Sequence, residues 1–545
     1  MSSTRLGGAR DLERFVRPAH WGRPALAAAA WVLVVAGLLV LLYATSVHAV
    51  PGNSDGATVV LEGKALSAGQ LTLKHWFLSF DSFWWVDVPF YALAVLAVGV
   101  RPELLQAVPA IIAALVVAVG AWLAAGRNRG VAALAGGATV VALLALPSHA
   151  LAFFFLQGPL HVGTALYSLL AFACVRRYRP GRARWLLAVV LLAAGTVGDL
   201  QMLVFGAAPM LGGGVLAMVR RREARAGVGA VSAAACGAVL ALAGRELAKL
   251  VGTYTINKPA PTASFREMVT NLRLVGVYGA RLFGFGSAGF GSGGMPSALL
   301  AVHVVGLVAL LAGVAAAAVR LVTALVAGRR GARDDEEAWR LDDMLLLAFL
   351  ADLAVFVYLT PASLPPYARY LTASAIFGAV LAGRGVARLA VLLARGAPAA
   401  ALAGLGGLAV CCLAAGTGYA LRQPDPPQPA RALGAYLAAH GLTQGIGDYW
   451  SASIVTVESR GAVVVRPVTA LPAGRILAYT RNASGTWYEG QTFQFLVYNP
   501  ALPFGGVDRQ SATATFGPPA ETTAVDGYLV LVWRHPLSVS IPPGA

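Results

Sequence analysis

The sequence predicts an all-α polytopic membrane domain of about eleven transmembrane helices, followed by a C-terminal α+β or mainly β domain. Of its 545 residues, 58% are hydrophobic and only 12% are charged, which is too little charge for the surface of a soluble protein. Apolar runs of membrane length recur, for example at 25–48 and 104–125. A bilayer core of about 30 Å needs about 20 apolar residues per helix, so these runs are predicted spans.

The positive charge has a topological origin. The net charge is +17, but arginines cluster in short links between apolar runs, which is typical of cytoplasmic loops. Because no nucleic-acid-binding module accompanies them, we exclude nucleic acid as a partner. The cysteines all lie in apolar runs and predict neither a disulfide framework nor a metal knot.

The first helix, at about 24–48, follows a basic segment, which predicts a cytoplasmic N-terminus. The next apolar run, 86–100, has about 15 residues and falls short of a span. If it were a span, the arginine cluster at 176–184 would also lie outside the cytoplasm, against the rule that positively charged loops are cytoplasmic. We therefore interpret it as an interfacial or re-entrant helix.

The remaining spans are predicted at about 104–125, 131–147, 162–175, 185–199, 202–219, 228–247, 297–320, 342–360, 370–388 and 398–418. The domain prediction is a membrane domain over 1–420, with an outer loop and interfacial helices at 49–100, a proline-rich linker at 421–430 and an extracytoplasmic soluble domain at 431–545. In the last, a helix is expected at 431–440, with strands at 453–457, 462–465, 475–479, 492–498 and 528–533. The predicted location is the cell (plasma) membrane, with the C-terminal domain outside the cytoplasm.

Candidate functional residues concentrate in the outer loops. Asp55 lies just beyond the first helix, where an ionisable residue indicates function or caps a helix starting near Gly56. Asp81 and Asp87 bracket the aromatic block FWWV at 83–86. Aromatic faces with carboxylates suit a carbohydrate, and Trp84 and Trp85 equally suit an interfacial aromatic belt.

Two further outer loops carry polar residues. His149 and His161 flank one loop, and Asp199 with Gln201 forms another. These residues could hold a divalent metal, but no ligand spacing supports it. Hydrogen bonding to a sugar or phosphate needs less exact geometry and is preferred.

Arg369 and Tyr370 begin a late predicted span. A guanidinium has a planar fork that matches phosphate oxygens, so Arg369 is the preferred ligand of a lipid phosphate. Arg273 and Arg281, also in an outer loop, are better explained by contacts with lipid headgroups. No nucleotide-binding motif is found in a usable context, which argues against nucleotide hydrolysis as an energy source.

This arrangement resembles the GT-C superfamily of integral-membrane glycosyltransferases, which includes mannosyl-, arabinosyl- and aminoarabinose-transferring enzymes. The resemblance lies in the acidic residue that starts the loop NSDGATVVLEGKALSAGQL (53–71), the interfacial run from Pro89, the Arg369-Tyr370 pair and the C-terminal domain. This chain has a single Asp at the loop start, so the resemblance leaves any divalent metal requirement open.

The resemblance implies that Asp55 is the general base. It also implies a polyprenyl-phosphate-linked sugar donor, membrane lipid as a partner, and a glycan, lipid or protein acceptor. Asp81, Asp87, His149, His161, Asp199, Gln201, Arg369 and Tyr370 are the candidate substrate-binding residues. Two alternatives are a secondary transporter or flippase, for which Asp352 is the main intramembrane acid, and a non-catalytic scaffold of cell-envelope assembly.

Overall fold

The computed structural model describes residues 22–542, apart from gaps at 80, 177–179, 222–224, 226, 257–261, 286–296, 327–332, 359–364, 394–398 and 473. The glycine-rich segment 284–294 and parts of the predicted basic links therefore lie largely outside the described residues.

Up to Ala420, the described residues are mainly helical. In chain order the helices are α1 (Gly22–Ala49), α2 (Ser54–Ser67), α3 (Val88–Val98), α4 (Leu104–Ala125), α5 (Gly130–Leu144), α6 (His149–Phe155), α7 (Val162–Val175), α8 (Arg182–Gly198), α9 (Ala208–Arg221), α10 (Val228–Leu250), α11 (Phe265–Leu282), α12 (Ser297–Val326), α13 (Arg333–Tyr358), α14 (Thr372–Leu393) and α15 (Ala399–Ala420). A π-helical turn (Leu203–Ala207) runs into α9, and a 3-10 helix (Pro365–Leu371) precedes α14.

A helix lies at every predicted span, but not every helix is long and apolar enough to cross a membrane. Within the described residues seven qualify, or eight if α5 and α6, which meet at 90°, form one broken span. The number eleven is therefore not confirmed. Helix α3 has 11 residues and a length of about 16 Å, roughly half of a bilayer core.

The C-terminal region contains a mixed six-stranded sheet. Helices α16 (Pro429–Ala439), α17 (Tyr449–Glu458) and α18 (Arg509–Phe516) accompany strands β3 (Gln444–Gly447), β4 (Val464–Ala470), β5 (Ile476–Ala478), β7 (Phe493–Tyr498), β8 (Glu521–Val525) and β9 (Tyr528–Leu537). The strand order is β5-β4-β3-β7-β9-β8, and β3 is parallel to both of its neighbours. A strand-containing C-terminal region is thus confirmed.

One predicted strand is wrong. Residues 453–457 lie in the middle of α17 and are buried. The run SIVTV is β-branched, which favoured a strand, but the Asp448 side chain accepts hydrogen bonds from the N–H groups of Trp450 and Ser451 and so caps the start of a helix. Tertiary packing against α2 and β4 then covers the apolar side chains.

A second, small sheet connects three distant parts of the chain. Strand β1 (Trp76–Ser79) is parallel to β2 (Tyr254–Ile256) and antiparallel to β6 (Ala483–Ser484). The loop after α2 is thereby attached both to the link between α10 and α11 and to the C-terminal region. These attachments form one wall of the cavity described below.

Candidate active site

A cavity of about 100 Å³ opens between α2, the segment after β1, the start of α7 and the chain before β6. Its lining is strongly polar and comprises Asp55, Thr58, Val59, Glu62, Ser79, Asp81, Ser82, Phe83, Pro159, Leu160, His161, Arg369, Arg481 and Asn482. Acids and bases from five separate segments therefore face one space.

Asp55 lies in the first turn of α2. The helix is capped by Asn53, whose side chain accepts from the N–H of Gly56, so the cap proposed for Asp55 belongs to its neighbour. The carboxylate of Asp55 remains half-buried at the cavity wall. It accepts a hydrogen bond of 2.5 Å from the hydroxyl of Tyr449, at the start of α17.

Helix α17 holds α2 along the same face. The Ser54 hydroxyl donates to the carbonyl of Trp450 at 3.0 Å, and the Thr58 hydroxyl donates to Ser453 at 3.0 Å. Burial first, and then the nearby Asp55 carboxylate, raise the pKa of Tyr449 well above its usual range. Tyr449 therefore stays protonated and donates to Asp55, which fixes the orientation of that carboxylate.

His161 and Asp199 form a buried pair. Nδ1 of His161 lies 2.7 Å from Oδ2 of Asp199, which also accepts from Thr164 at 2.5 Å. Burial favours the neutral imidazole, but Asp199 and then Asp81 outweigh it and raise the pKa of His161. Burial likewise opposes ionisation of Asp199, but His161, Thr164 and the Gln201 N–H reverse it and lower the pKa of this carboxyl.

The pair is further surrounded by candidate residues. The Gln201 amide lies 3.0 Å from Nε2 of His161, and the His161 ring is 5.8 Å from that of Tyr370. His161 has a left-handed backbone with φ 50°, which costs about 1–3 kcal/mol for a residue with a side chain. Such strain is common where a side chain must be aimed at a functional site.

Asp81 and Asp87 belong to the same acidic group. Asp81 lines the cavity, and its backbone pairs with that of Asp199 in an isolated bridge. Burial raises the pKa of Asp81, although His161 opposes the effect. Asp87 lies behind the cavity lining, 2% exposed, and burial reinforced by Asp199 raises its pKa to about 7.

Arg369 faces these acids from the segment before α14. Its guanidinium donates to the Tyr370 hydroxyl at 3.1 Å and lies 4.9 Å from the centre of that ring. Its Nε has no hydrogen-bond partner among the described residues. Asp352 on α13 fixes the start of α14 nearby, because it accepts from the N–H of Ser374 at 2.8 Å and from the hydroxyl at 2.6 Å.

The structure thus brings together most of the candidates. Four candidates line the cavity: Asp55, Asp81, His161 and Arg369. Four others lie directly behind this lining: Asp87, Asp199, Gln201 and Tyr370. His149 begins α6 and is not among the lining residues. Trp84 is buried and donates its indole N–H to the carbonyl of Leu71 at 3.1 Å.

Three lining residues with an ionisable or amide side chain were not among the predicted site residues: Glu62, Arg481 and Asn482. Glu62 is seven residues after Asp55 and therefore on the same helix face, a spacing that could have been read from the sequence. Arg481 and Asn482 come from the distant β5–β6 connection, for which there was no local signal. Within the described residues, no three His, Cys, Asp or Glu side chains are grouped as ligands of a metal ion.

No family model matches the sequence, and no curated protein matches it. Among solved structures, the chain is similar to ArnT from Cupriavidus metallidurans bound to undecaprenyl phosphate, with 14% identity, a TM-score of 0.50, and coverage of 93% of this chain and 98% of that one. The apo state of the same protein is also found, with 13% identity and a TM-score of 0.40. The chain therefore has the fold of ArnT over nearly its whole length.

Proposed function

We propose that this protein is a membrane glycosyltransferase that moves a sugar from a polyprenyl-phosphate donor to an extracytoplasmic glycan, lipid or protein acceptor. One observation carries the proposal: a polar cavity places an oriented carboxylate, Asp55, together with a guanidinium, Arg369, that has an unpaired N–H. The ArnT fold supports it, since that neighbour was solved with undecaprenyl phosphate bound.

In this mechanism Asp55 is the general base. It removes the proton of an acceptor hydroxyl while the oxygen attacks the anomeric carbon of the donor sugar. The bond between that carbon and the phosphate oxygen breaks, and its electron pair leaves with the polyprenyl phosphate. The proton resides on Asp55 until solvent takes it. Tyr449, which already donates to Asp55, holds the carboxylate in position.

The leaving phosphate needs cations. Arg369 and Arg481 both line the cavity, and charge-assisted hydrogen bonds from guanidinium to phosphate are stronger than neutral ones. Stabilising the negative charge as it develops on the phosphate would lower the barrier to transfer. The lipid tail would remain in the bilayer. In this proposal the chain crosses the membrane up to eleven times, and the cavity and the region 431–545 lie on the extracytoplasmic side.

The test is transfer of a lipid-linked sugar by purified membranes. Replacing a general base costs about 10²–10⁴-fold in rate, so we expect Asp55→Asn to lose transfer by that factor. Asp526→Asn, at an exposed turn, is the matched control and should leave the rate unchanged. Unchanged transfer by Asp55→Asn would refute the base assignment. A wild type that transfers no lipid-linked sugar would instead favour the scaffold, and sugar-independent lipid translocation would favour the flippase.

A further inference from the structure

Glu62 marks a second polar position on α2. Asp55, Thr58, Val59 and Glu62 follow the spacing of one helix face, and all four line the cavity. Seven residues correspond to about 10 Å along the helix axis. A sugar ring could therefore lie along α2 with one end at Asp55 and the other at Glu62.

Glu62 is buried without a partner. Glu62 is 1% exposed, and its Oε2 atom has no hydrogen-bond partner among the described residues. Burial raises the pKa of this carboxyl well above its usual range. A buried carboxylate without a counter-ion is very costly, so the group is held as the neutral acid.

Helix α3 packs closely against α2 beside Glu62. At the next residue, Gly63, an added Cβ would lie 2.8 Å from Cβ of Tyr91 on α3. Helix α3 is thus in direct backbone contact with α2 beside Glu62. Thr58, the other hydrogen-bonding side chain on this part of the face, is already bonded to Ser453, which leaves Glu62 as the polar group free to meet a ligand there.

A buried polar atom without a hydrogen-bond partner is destabilising, and such atoms in native proteins call for a functional explanation. A neutral carboxylic acid offers one O–H donor and one carbonyl acceptor. A sugar hydroxyl needs both an acceptor and a donor, so the two groups are complementary. A sugar with an ammonium group would instead require ionised Glu62.

We propose that Glu62 forms a subsite in the cavity, about 10 Å along α2 from Asp55, that binds hydroxyl groups of an uncharged donor sugar. This inference rests on the proposed function, since it names the class of sugar that the same cavity accepts. It predicts that a carboxamide, which also donates and accepts, can replace the acid at position 62.

Binding of defined lipids to the purified full chain tests the subsite. The probes are undecaprenyl phosphate alone and the same lipid carrying mannose, glucose, galactose, arabinose or 4-amino-4-deoxyarabinose. We expect the wild type and Glu62→Gln to bind at least one uncharged sugar lipid within about threefold of each other. Glu62→Leu should bind that lipid about 10–100-fold more weakly, the equivalent of one lost hydrogen-bonding group in a buried site.

Several controls separate the outcomes. Bare undecaprenyl phosphate should bind equally to all three proteins, and Glu521→Gln, an exposed substitution on β8, should change nothing. Glu62→Leu should remain as stable as the wild type, because it removes an unsatisfied polar group. The proposal would be refuted if the wild type prefers the amino-sugar lipid and Glu62→Gln loses that preference. It would also be refuted if Glu62→Leu binds the sugar lipids as tightly as the wild type does. Failure of the proposed function is distinct: the wild type would then bind sugar lipids without transferring the sugar.

Discussion

Two buried groups of charged residues lie at opposite ends of α14, and they differ in how fully they are paired. At the end near the cavity, Glu62 Oε2, Asp87 Oδ1 and Arg369 Nε have no hydrogen-bond partner among the described residues. Twelve residues into α14, Arg384 instead donates to Asp342, which is also paired with Arg388 and, at 3.0 Å, with Arg320. The carboxylate of Asp342 is thus paired within the protein, whereas these three atoms beside the cavity are not.

The paired group connects several helices. Asp342 on α13 forms ion pairs with arginines on α12 and α14. The neighbouring Asp343 lies 2.6 Å from Arg220 on α9. Arg384 also donates to the carbonyl of Leu123 on α4 at 2.8 Å. Nothing in this group faces the cavity, so we assign it to the stability of the helix bundle.

The largest expected effect follows from breaking this group. Removing one partner of a buried ion pair costs about 3–5 kcal/mol, because the opposite charge is left uncompensated. We expect Asp342→Asn to lower the free energy of unfolding by that amount, measured by denaturant unfolding in detergent, while the folded fraction keeps its transfer rate. An unchanged unfolding free energy would contradict the assignment of this cluster to folding.

A smaller effect is expected from crowding the cavity side. At Gly163, an added Cβ would lie 1.9 Å from Oδ1 of Asp87 and 2.8 Å from Cγ1 of Val86. Overpacking of this kind costs about 1–3 kcal/mol, and it would displace Asp87 and the adjoining start of α7 with His161. Gly163→Ala should therefore reduce both thermal stability and transfer. Gly137→Ala, whose new Cβ would be 3.8 Å from Ala121, is the control; equal behaviour of the two variants would show that the contact is unimportant.

The smallest effect is predicted for Asp87→Asn, which makes the same chemical change as Asp342→Asn. Burial raises the pKa of Asp87 from 3.8 to about 7, so the folded state binds its proton more tightly than the unfolded state. This tighter binding adds to the free energy of unfolding. The contribution is fully present below pH 3.8 and is lost as the pH rises towards and through 7.

Asparagine cannot ionise, so Asp87→Asn should remove this loss. We expect its unfolding midpoint to match the wild type at low pH and to equal or exceed it above pH 7. Thermal unfolding over a pH series measures this difference. A variant that is strongly destabilised at every pH would show that Asp87 has a partner like that of Asp342.

The helices of the membrane region could be predicted because each apolar run carries its own signal. Helix α11 was missed although the pair Ser264 and Glu267 forms a capping box, a pattern that can be read from sequence. Residues 453–457 of α17 were predicted as a strand because β-branched residues favour strands locally, whereas the Asp448 cap and the packing against α2 and β4 favour a helix.

The cavity could be predicted only in part. Polar residues in the outer loops drew attention to Asp55, Asp81, His161 and Arg369, since charge near a bilayer is costly. Their convergence depends on backbone pairing that leaves no local pattern, such as the bridge between Asp81 and Asp199. Arg481 and Asn482 reach the cavity through β6, more than four hundred residues after α2 begins.

The most direct test of the central claim is the rate at which purified protein releases polyprenyl phosphate from a sugar-linked donor when acceptor is present. If Asp55 is the base of a transfer reaction, Asp55→Asn should bind the donor normally and release the lipid phosphate about 10²–10⁴-fold more slowly. Release at the wild-type rate by this variant would contradict the account.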